Sequence, residues 1–255
     1  MSRGNSRKES ILRGAERWVA QLVVWGLAAL VSACAGVPRD PSLPIDDPWE
    51  QTNRGILRAN QVVLDPVANV VKTLPAPVLN RVRDLDDNLK EPRILGNDIL
   101  QGRFGAASIT LERFVFNSIF GLGGLVDVAT PGGLPKQSGD FGQTMFVWGV
   151  TAGPYVEQPY YGPSTLRDSF GGAVDTVLDP LGWVMDGVII GWPWSVGSAS
   201  VSATAHLGQW KQAENASIDF YTFLRSDYYQ TRRAELREAL GLPPLTESPA
   251  TGVAR

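Results

Sequence analysis

One histidine, His206, and one cysteine, Cys34, serve all 255 residues. Each shortage closes off chemistry. A metal site built on two imidazoles or on several thiolates is excluded, and so is a disulfide within the chain. A Ser–His–Asp triad would have to use His206, which stands between Ala205 and Leu207. No Gly-x-Ser-x-Gly elbow is present to carry its nucleophile. The run Gly121-Leu122-Gly123-Gly124 lacks the last glycine of a dinucleotide loop, because Val126 stands there. It reads instead as a glycine-capped helix end. The adjacent carboxylates Asp46/Asp47 and Asp86/Asp87 read as solvated or capping groups rather than as a general acid and base. Clustered Lys and Arg of the kind that follow a nucleic acid are also missing. The expectation is a protein that is not an enzyme and holds neither cofactor nor metal.

Long apolar runs are scarce too. The first, Trp18 to Val31, is interrupted by Gln21 and Gly26 and is shorter than the roughly 20 residues of a membrane span. Arg3, Arg7, Lys8, Arg13 and Arg17 precede it, and Ser32-Ala33-Cys34 follow it. A basic start, a short apolar middle and small residues before the cut make a secretory signal. A lone thiol at the cut makes it a lipoprotein signal. Residues 1–33 are then removed, and Cys34 becomes the acylated first residue, held by about 0.8 kcal/mol per buried methylene. Ala35 rather than aspartate follows the cysteine, and the resemblance to bacterial lipoproteins in general then implies sorting to the outer membrane.

The five basic and two acidic residues of the signal leave 18 basic and 24 acidic behind it, a net charge of about −6. The remaining length suffices for one sizeable domain with a core. Residues 34–46, rich in proline and polar groups, read as a lipidated tether. Residues 49–73 have helical spacing, with Leu57, Val62 and Val63 able to share a face near Ile56. Residues 78–91 suit a short helix stopped by Pro92, and 93–101 suit another. Residues 105–120 carry Ala107, Leu111, Phe114 and Ser118 at steps of four, three and four. From 121 to 164 glycine and proline abound without a period. Helix returns over 165–190. Leu181 to Ala205 contains one charge, Asp186, and with Trp183, Trp192 and Trp194 reads as helix buried in the domain or lying against lipid. Residues 206–240 suggest a helix pair, and 241–255 a disordered tail. The fold expected is all-α: a single helical domain over 47–240, with glycine-rich loops.

Several polar residues sit in apolar or glycine-rich stretches: Asn117, Asp140, Gln143 and Asp168. They either cap helices or line or frame a passage with one polar and one apolar wall. The surrounding strings are specific. Asp47-Pro48-Trp49-Glu50-Gln51-Thr52-Asn53-Arg54, Leu64-Asp65-Pro66, Asn88-Leu89-Lys90-Glu91-Pro92, Asn97 and Leu100-Gln101-Gly102 come first. Arg113 to Ser118, Gly121 to Asp127, Asp140 to Thr144, Trp148-Gly149-Val150, Gly153-Pro154-Tyr155 and Gly162 to Asp168 follow. In this order they resemble the VacJ/MlaA lipoprotein family. The motif positions are Asp47, Pro48, Glu50, Asn53, Arg54, Asn88, Pro92 and Asn97. One departure is Thr52, where an aromatic residue is usual.

The resemblance implies a ring-like helical domain lying in the membrane interface. It implies a channel that removes mislocalised phospholipid from the outer leaflet and hands it to a periplasmic lipid carrier protein, so maintaining lipid asymmetry. The partners it implies are phospholipid, an outer-membrane porin trimer and that carrier. The location is the periplasmic face of the outer membrane. The alternative is a structural or scaffolding lipoprotein docked on porins without transport activity.

Overall fold

The computed structural model describes residues 45–71, 73–179 and 214–243. The signal segment with Cys34, the stretch 181–205 with its single charge and its tryptophans, and the tail beyond 243 lie outside the described residues. The described chain is mostly helical. In order it forms α1 (Glu50–Val71), α2 (Ala76–Leu100), α3 (Phe104–Ile119), α4 (Phe141–Val147), β1 (Tyr155–Gln158), β2 (Gly162–Thr165), α5 (Leu166–Val177) and α6 (Phe220–Ala239). Among the described residues no helix is long and apolar enough to cross a membrane.

Two expectations are corrected. Pro92 does not divide two helices; it lies inside the single 25-residue α2. A proline in a helix interior removes one hydrogen bond at a cost of about 3 kcal/mol. Side chains on either side of it, Asn88, Glu91, Asn97 and Asp98, are all buried and bonded to neighbouring elements, which holds the helix through the break. The glycine-rich stretch is not devoid of regular structure either. It holds α4 and the antiparallel pair β1–β2, with Tyr155 opposite Thr165 and Gln158 opposite Gly162. The strands are four residues long and contain Pro163, too short and too irregular for a period of two to show.

The structure also shows which faces of the helices turn inward. On α3 the buried stripe is Ala107, Thr110, Arg113 and Asn117. Leu111, Val115, Phe116 and Ile119 point outward and are exposed. On α1 the buried stripe is Asn53, Leu57 and Asn60, with Val62 and Val63 exposed. Both stripes keep helical spacing, but the polar face is the inner one. Across the described residues, nineteen polar or charged side chains are buried against eleven apolar ones, so the interior is held mainly by hydrogen bonds and ion pairs. Buried polar groups of this kind are tolerated only when they are partnered.

Candidate functional site

Asn97 on α2 ties three helices together. Its Nδ2 donates to Asp175 Oδ1 on α5 at 2.8 Å, and its Oδ1 accepts from the Thr144 hydroxyl on α4 at 2.8 Å. Gln101 Nε2 adds a bond to Thr144 Oγ1 at 3.1 Å. Asp175 Oδ2 accepts from the backbone N–H of Phe141, the first residue of α4. Burial pushes the Asp175 carboxyl up from its ordinary range, against the pull of these donors.

Asp140 begins α4 as its N-cap, accepting from Gln143 N at 2.8 Å, and Thr165 caps α5 in the same way through Asp168 N. Across both caps lies Arg232 of α6, with every guanidinium N–H placed. Nε donates to Asp168, Nη1 to Asp140 and Glu235, and Nη2 to Asp140 and Asp168, over 2.6–3.1 Å. Arg167 adds two bonds to Asp168, and the Tyr228 hydroxyl a third at 2.7 Å. Burial would raise the Asp168 pKa, but Arg232 and Arg167 outweigh it and hold the carboxyl well below the usual range. The same balance, with Arg232 again prevailing over burial, keeps Asp140 low. The cluster demands bare backbone beside it. A Cβ on Gly142 would lie 2.5 Å from Asp168 Oδ1, and one on Gly171 would lie 2.4 Å from Gly142 N.

A second cluster closes the loop after α3. Arg113 Nε pairs with Glu91 at 2.7 Å, while Nη1 reaches Thr130 Oγ1 and the Leu134 carbonyl. Asn117 Oδ1 accepts from Val128 N and Ala129 N, and its Nδ2 reaches Asp127. Burial works to raise the Asp127 pKa, but donors from Thr130 together with Arg113 and Asn117 lower it to about 2. Asn88 donates to Ser118, and Gly124 packs so closely on Asn88 that a Cβ would sit 2.4 Å from its Nδ2.

The third cluster joins the start of the domain to its last helix. Asp47 accepts from Asn53, the Tyr221 hydroxyl and Arg225. Asn53 also accepts from Glu157 N and donates to the Tyr155 carbonyl, fixing β1 on α1. Arg54 pairs with Glu50 and bidentately with Asp219, with its guanidinium 4.4 Å above the Tyr221 ring. Burial pushes Glu157 up to about 7, although the Tyr155 hydroxyl and Asn60 donate to it.

A cleft of about 280 Å³ opens where α2, α5 and α6 meet, with Asp140, Asp168, Asp175 and Arg232 on its wall. Two of the four candidate polar residues, Asp140 and Asp168, therefore come together there. Gln143 lies within α4, almost fully buried with its Oε1 unpaired, and Asn117 is in the separate loop cluster. Of the motif positions, Asp47, Glu50, Asn53 and Arg54 belong to the third cluster, while Asn88 and Asn97 anchor α2. Pro48 precedes α1, and Pro92 is inside α2. The most connected residue, Arg232, was not singled out from sequence. The pattern Asp140-Phe-Gly-Gln143 is a capping signal that could have located α4. Nothing comparable marks position 232.

An ion-paired interior inside a coat of aliphatic and aromatic side chains defines a helical protein with its polarity turned inward. A model described as the MlaA lipoprotein matches residues 45–235. The Intermembrane phospholipid transport system lipoprotein MlaA of Escherichia coli is 33% identical over 196 residues, covering 72% of this chain and 76% of that protein. The protein of the same name in Haemophilus influenzae is 30% identical over 210 residues, covering 76% and 80%. A solved structure described as the structural basis for maintenance of bacterial outer membrane lipid asymmetry aligns with a TM-score of 0.64 at 30% identity, covering 75% of this chain and 99% of that one. The chain belongs to the MlaA lipoprotein family.

Proposed function

We propose that this protein is an outer-membrane lipoprotein, held at the periplasmic face by acyl chains on Cys34 and a tether over 34–46, with a lipid-transport domain over 47–240 and a tail beyond. The domain lies in the membrane interface and takes mislocalised phospholipid from the outer leaflet. It passes the lipid to a periplasmic carrier, restoring lipid asymmetry. A porin trimer is the membrane-side partner, and no covalent chemistry is involved. The observation that carries the reading is the inverted polarity of α3. Its exposed Phe104, Leu111, Val115, Phe116 and Ile119 suit acyl chains, while its buried Arg113 and Asn117 belong to the polar interior. A large exposed apolar surface of this kind marks a membrane or partner contact. Lipid needs a polar route for its head and an apolar one for its tails. Asp140 and Asp168 frame that route at the cleft, and Asn117 and Gln143 hold its walls in place. The names of the relatives support the same assignment.

The test is complementation. Deleting the gene should let phospholipid accumulate in the outer leaflet, and the full chain should reverse this. Cys34→Ser should fail to do so and should lose acyl label. An outer leaflet that stays free of phospholipid in the deletion strain would sink the assignment.

A further inference from the structure

The charged groups around the cleft differ in how much of their bonding capacity is already used. Arg232 has all five N–H groups engaged by Asp140, Asp168 and Glu235. Asp168 receives bonds from Arg167, Arg232 and Tyr228, and Asp175 from Asn97 and the Phe141 amide. None of these has much left to offer a ligand. Arg93 is different. It lines the cleft from α2, its Nε is buried, and that atom has no hydrogen-bond partner. Its charge is felt by Asp175, whose carboxyl it helps to lower, but that interaction leaves the Nε without an acceptor. A buried donor left unpaired is unfavourable, and an acceptor entering the cleft would relieve it.

Glu235 lines the same cleft from α6. One of its oxygens is bonded to Arg232 Nη1 at 2.8 Å, and its side chain is 36% exposed. A cation with free donors and a carboxylate with a free oxygen thus look into one opening. Gly172 lines the cleft, and a Cβ built on it meets no atom within 4 Å.

We propose that this cleft binds the head group of a zwitterionic phospholipid, with the phosphodiester on Arg93 and the ammonium on Glu235. The proposal rests on the transport reading above and names the lipid class that reading leaves open. Guanidinium groups pair well with phosphate oxygens. The wall also carries Asp140, Asp168 and Asp175, which disfavour a ligand of net negative charge. A phosphodiester with its own ammonium brings no net charge, whereas a phosphatidylglycerol head brings one. An isolated cation would leave Arg93 unpaired and add a like charge beside it.

Titration calorimetry on the acylated full chain in detergent tests this, with dihexanoyl phosphatidylethanolamine, dihexanoyl phosphatidylglycerol and inorganic phosphate as probes. The wild-type protein should prefer the ethanolamine lipid by roughly tenfold. Arg93→Gln should weaken both lipids by about tenfold at an unchanged melting temperature. Glu235→Gln should weaken only the ethanolamine lipid and so erase the preference. Gly172→Leu should abolish binding by placing a side chain in the cleft, at a helical position where leucine is favoured over glycine. Equal affinity of the wild-type and Arg93→Gln proteins for the ethanolamine lipid overturns the proposal. So does inorganic phosphate that binds as tightly as the lipid and displaces it, which would make this a free-phosphate site. Outer-leaflet phospholipid, measured alongside, separates the two readings. Lipid binding as expected in a protein that does not restore asymmetry refutes transport and leaves the site standing. Asymmetry restored equally by wild-type and Arg93→Gln proteins places the cleft off the route and refutes the site's role.

Discussion

Arg113 Nε donates to Glu91 Oε1 at 2.7 Å, and the two side chains are 1% and 4% exposed. An ion pair this far from water is sustained only by its further bonds, here from Arg113 Nη1 to Thr130 and to the Leu134 carbonyl. It links α2, α3 and the loop after α3 at one point.

Breaking the pair from one side should therefore be costly. Arg113→Met leaves Glu91 buried and unpartnered, and stability should fall by about 3–5 kcal/mol. Glu91→Gln retains a hydrogen-bond acceptor and should cost less. Chemical denaturation of both variants checks the order, and equal losses would contradict it.

Asn117 should behave as a structural residue. Its Oδ1 accepts two backbone N–H groups, from Val128 and Ala129, at 2.9 and 3.0 Å. Asn117→Ala strands both donors and should cost about 1–3 kcal/mol. Melting temperature and protein level should drop together. Transport lost in a variant with wild-type stability would show instead that Asn117 faces the lipid.

Gly142 tolerates no side chain. Gly142→Ala would force a methyl group to within 2.5 Å of Asp168 Oδ1 and 2.8 Å of Arg232 Nη2. Overpacking of this kind costs about 1–3 kcal/mol, and displacing a fully bonded ion cluster adds to it. Gly96→Ala, where a Cβ meets nothing within 4 Å, is the control and should be neutral or slightly stabilising in its helix. Thermal unfolding of the two variants should diverge sharply.

Glu157 gives stability a pH dependence of definite sign. Its pKa is about 7 in the folded chain against 4.5 ordinarily, raised by burial. Below about 4.5 both folded and unfolded chains hold the proton. As pH rises, the unfolded chain releases it first, so the stabilisation fades and is gone once pH passes about 7. The full change is about 3 kcal/mol. The gap in melting temperature between wild type and Glu157→Gln should therefore vary between pH 5 and 8, with the wild type losing ground as pH rises. A gap that stays constant over that range refutes the assignment.

The outward face of α3 makes a contrasting case. Ile119 is exposed, so Ile119→Asp should leave the melting temperature within experimental error. It should nonetheless weaken partition of a Cys34→Ser protein into phospholipid vesicles, measured by flotation. Unchanged partition would count against membrane contact through α3.

Helix positions were largely legible in the sequence, and their orientation was not. The spacing over 49–73 and 105–120 predicts α1 and α3 to within two residues at each end. The spacing of Ala107, Leu111, Phe114 and Ser118 shows that α3 has faces without showing which one is inside. In water the apolar face turns in. Here the polar stripe Thr110, Arg113, Asn117 is inside and Leu111 is out. Pro92 misled for a related reason: the bonds made by Glu91 and Asn97, which keep α2 continuous, depend on residues 22 and 78 positions away. The strings around Asp140 and Asp168 were recognisable, but their meeting through Arg232 depends on tertiary structure alone.

That meeting sets an order of assembly. Arg232 lies 92 residues beyond Asp140 and 64 beyond Asp168. In a chain made from its N-terminus, both carboxylates are in place long before their shared cation. Until it arrives they stand as neighbouring like charges around Gly142, moderated by Arg167 at Asp168 and by the Gln143 N–H at Asp140. The junction of α4 and α5 is thus completed only by a chain nearly whole, and a product cut short before residue 232 carries an unfinished joint at its centre. The fold contains its own check on completeness.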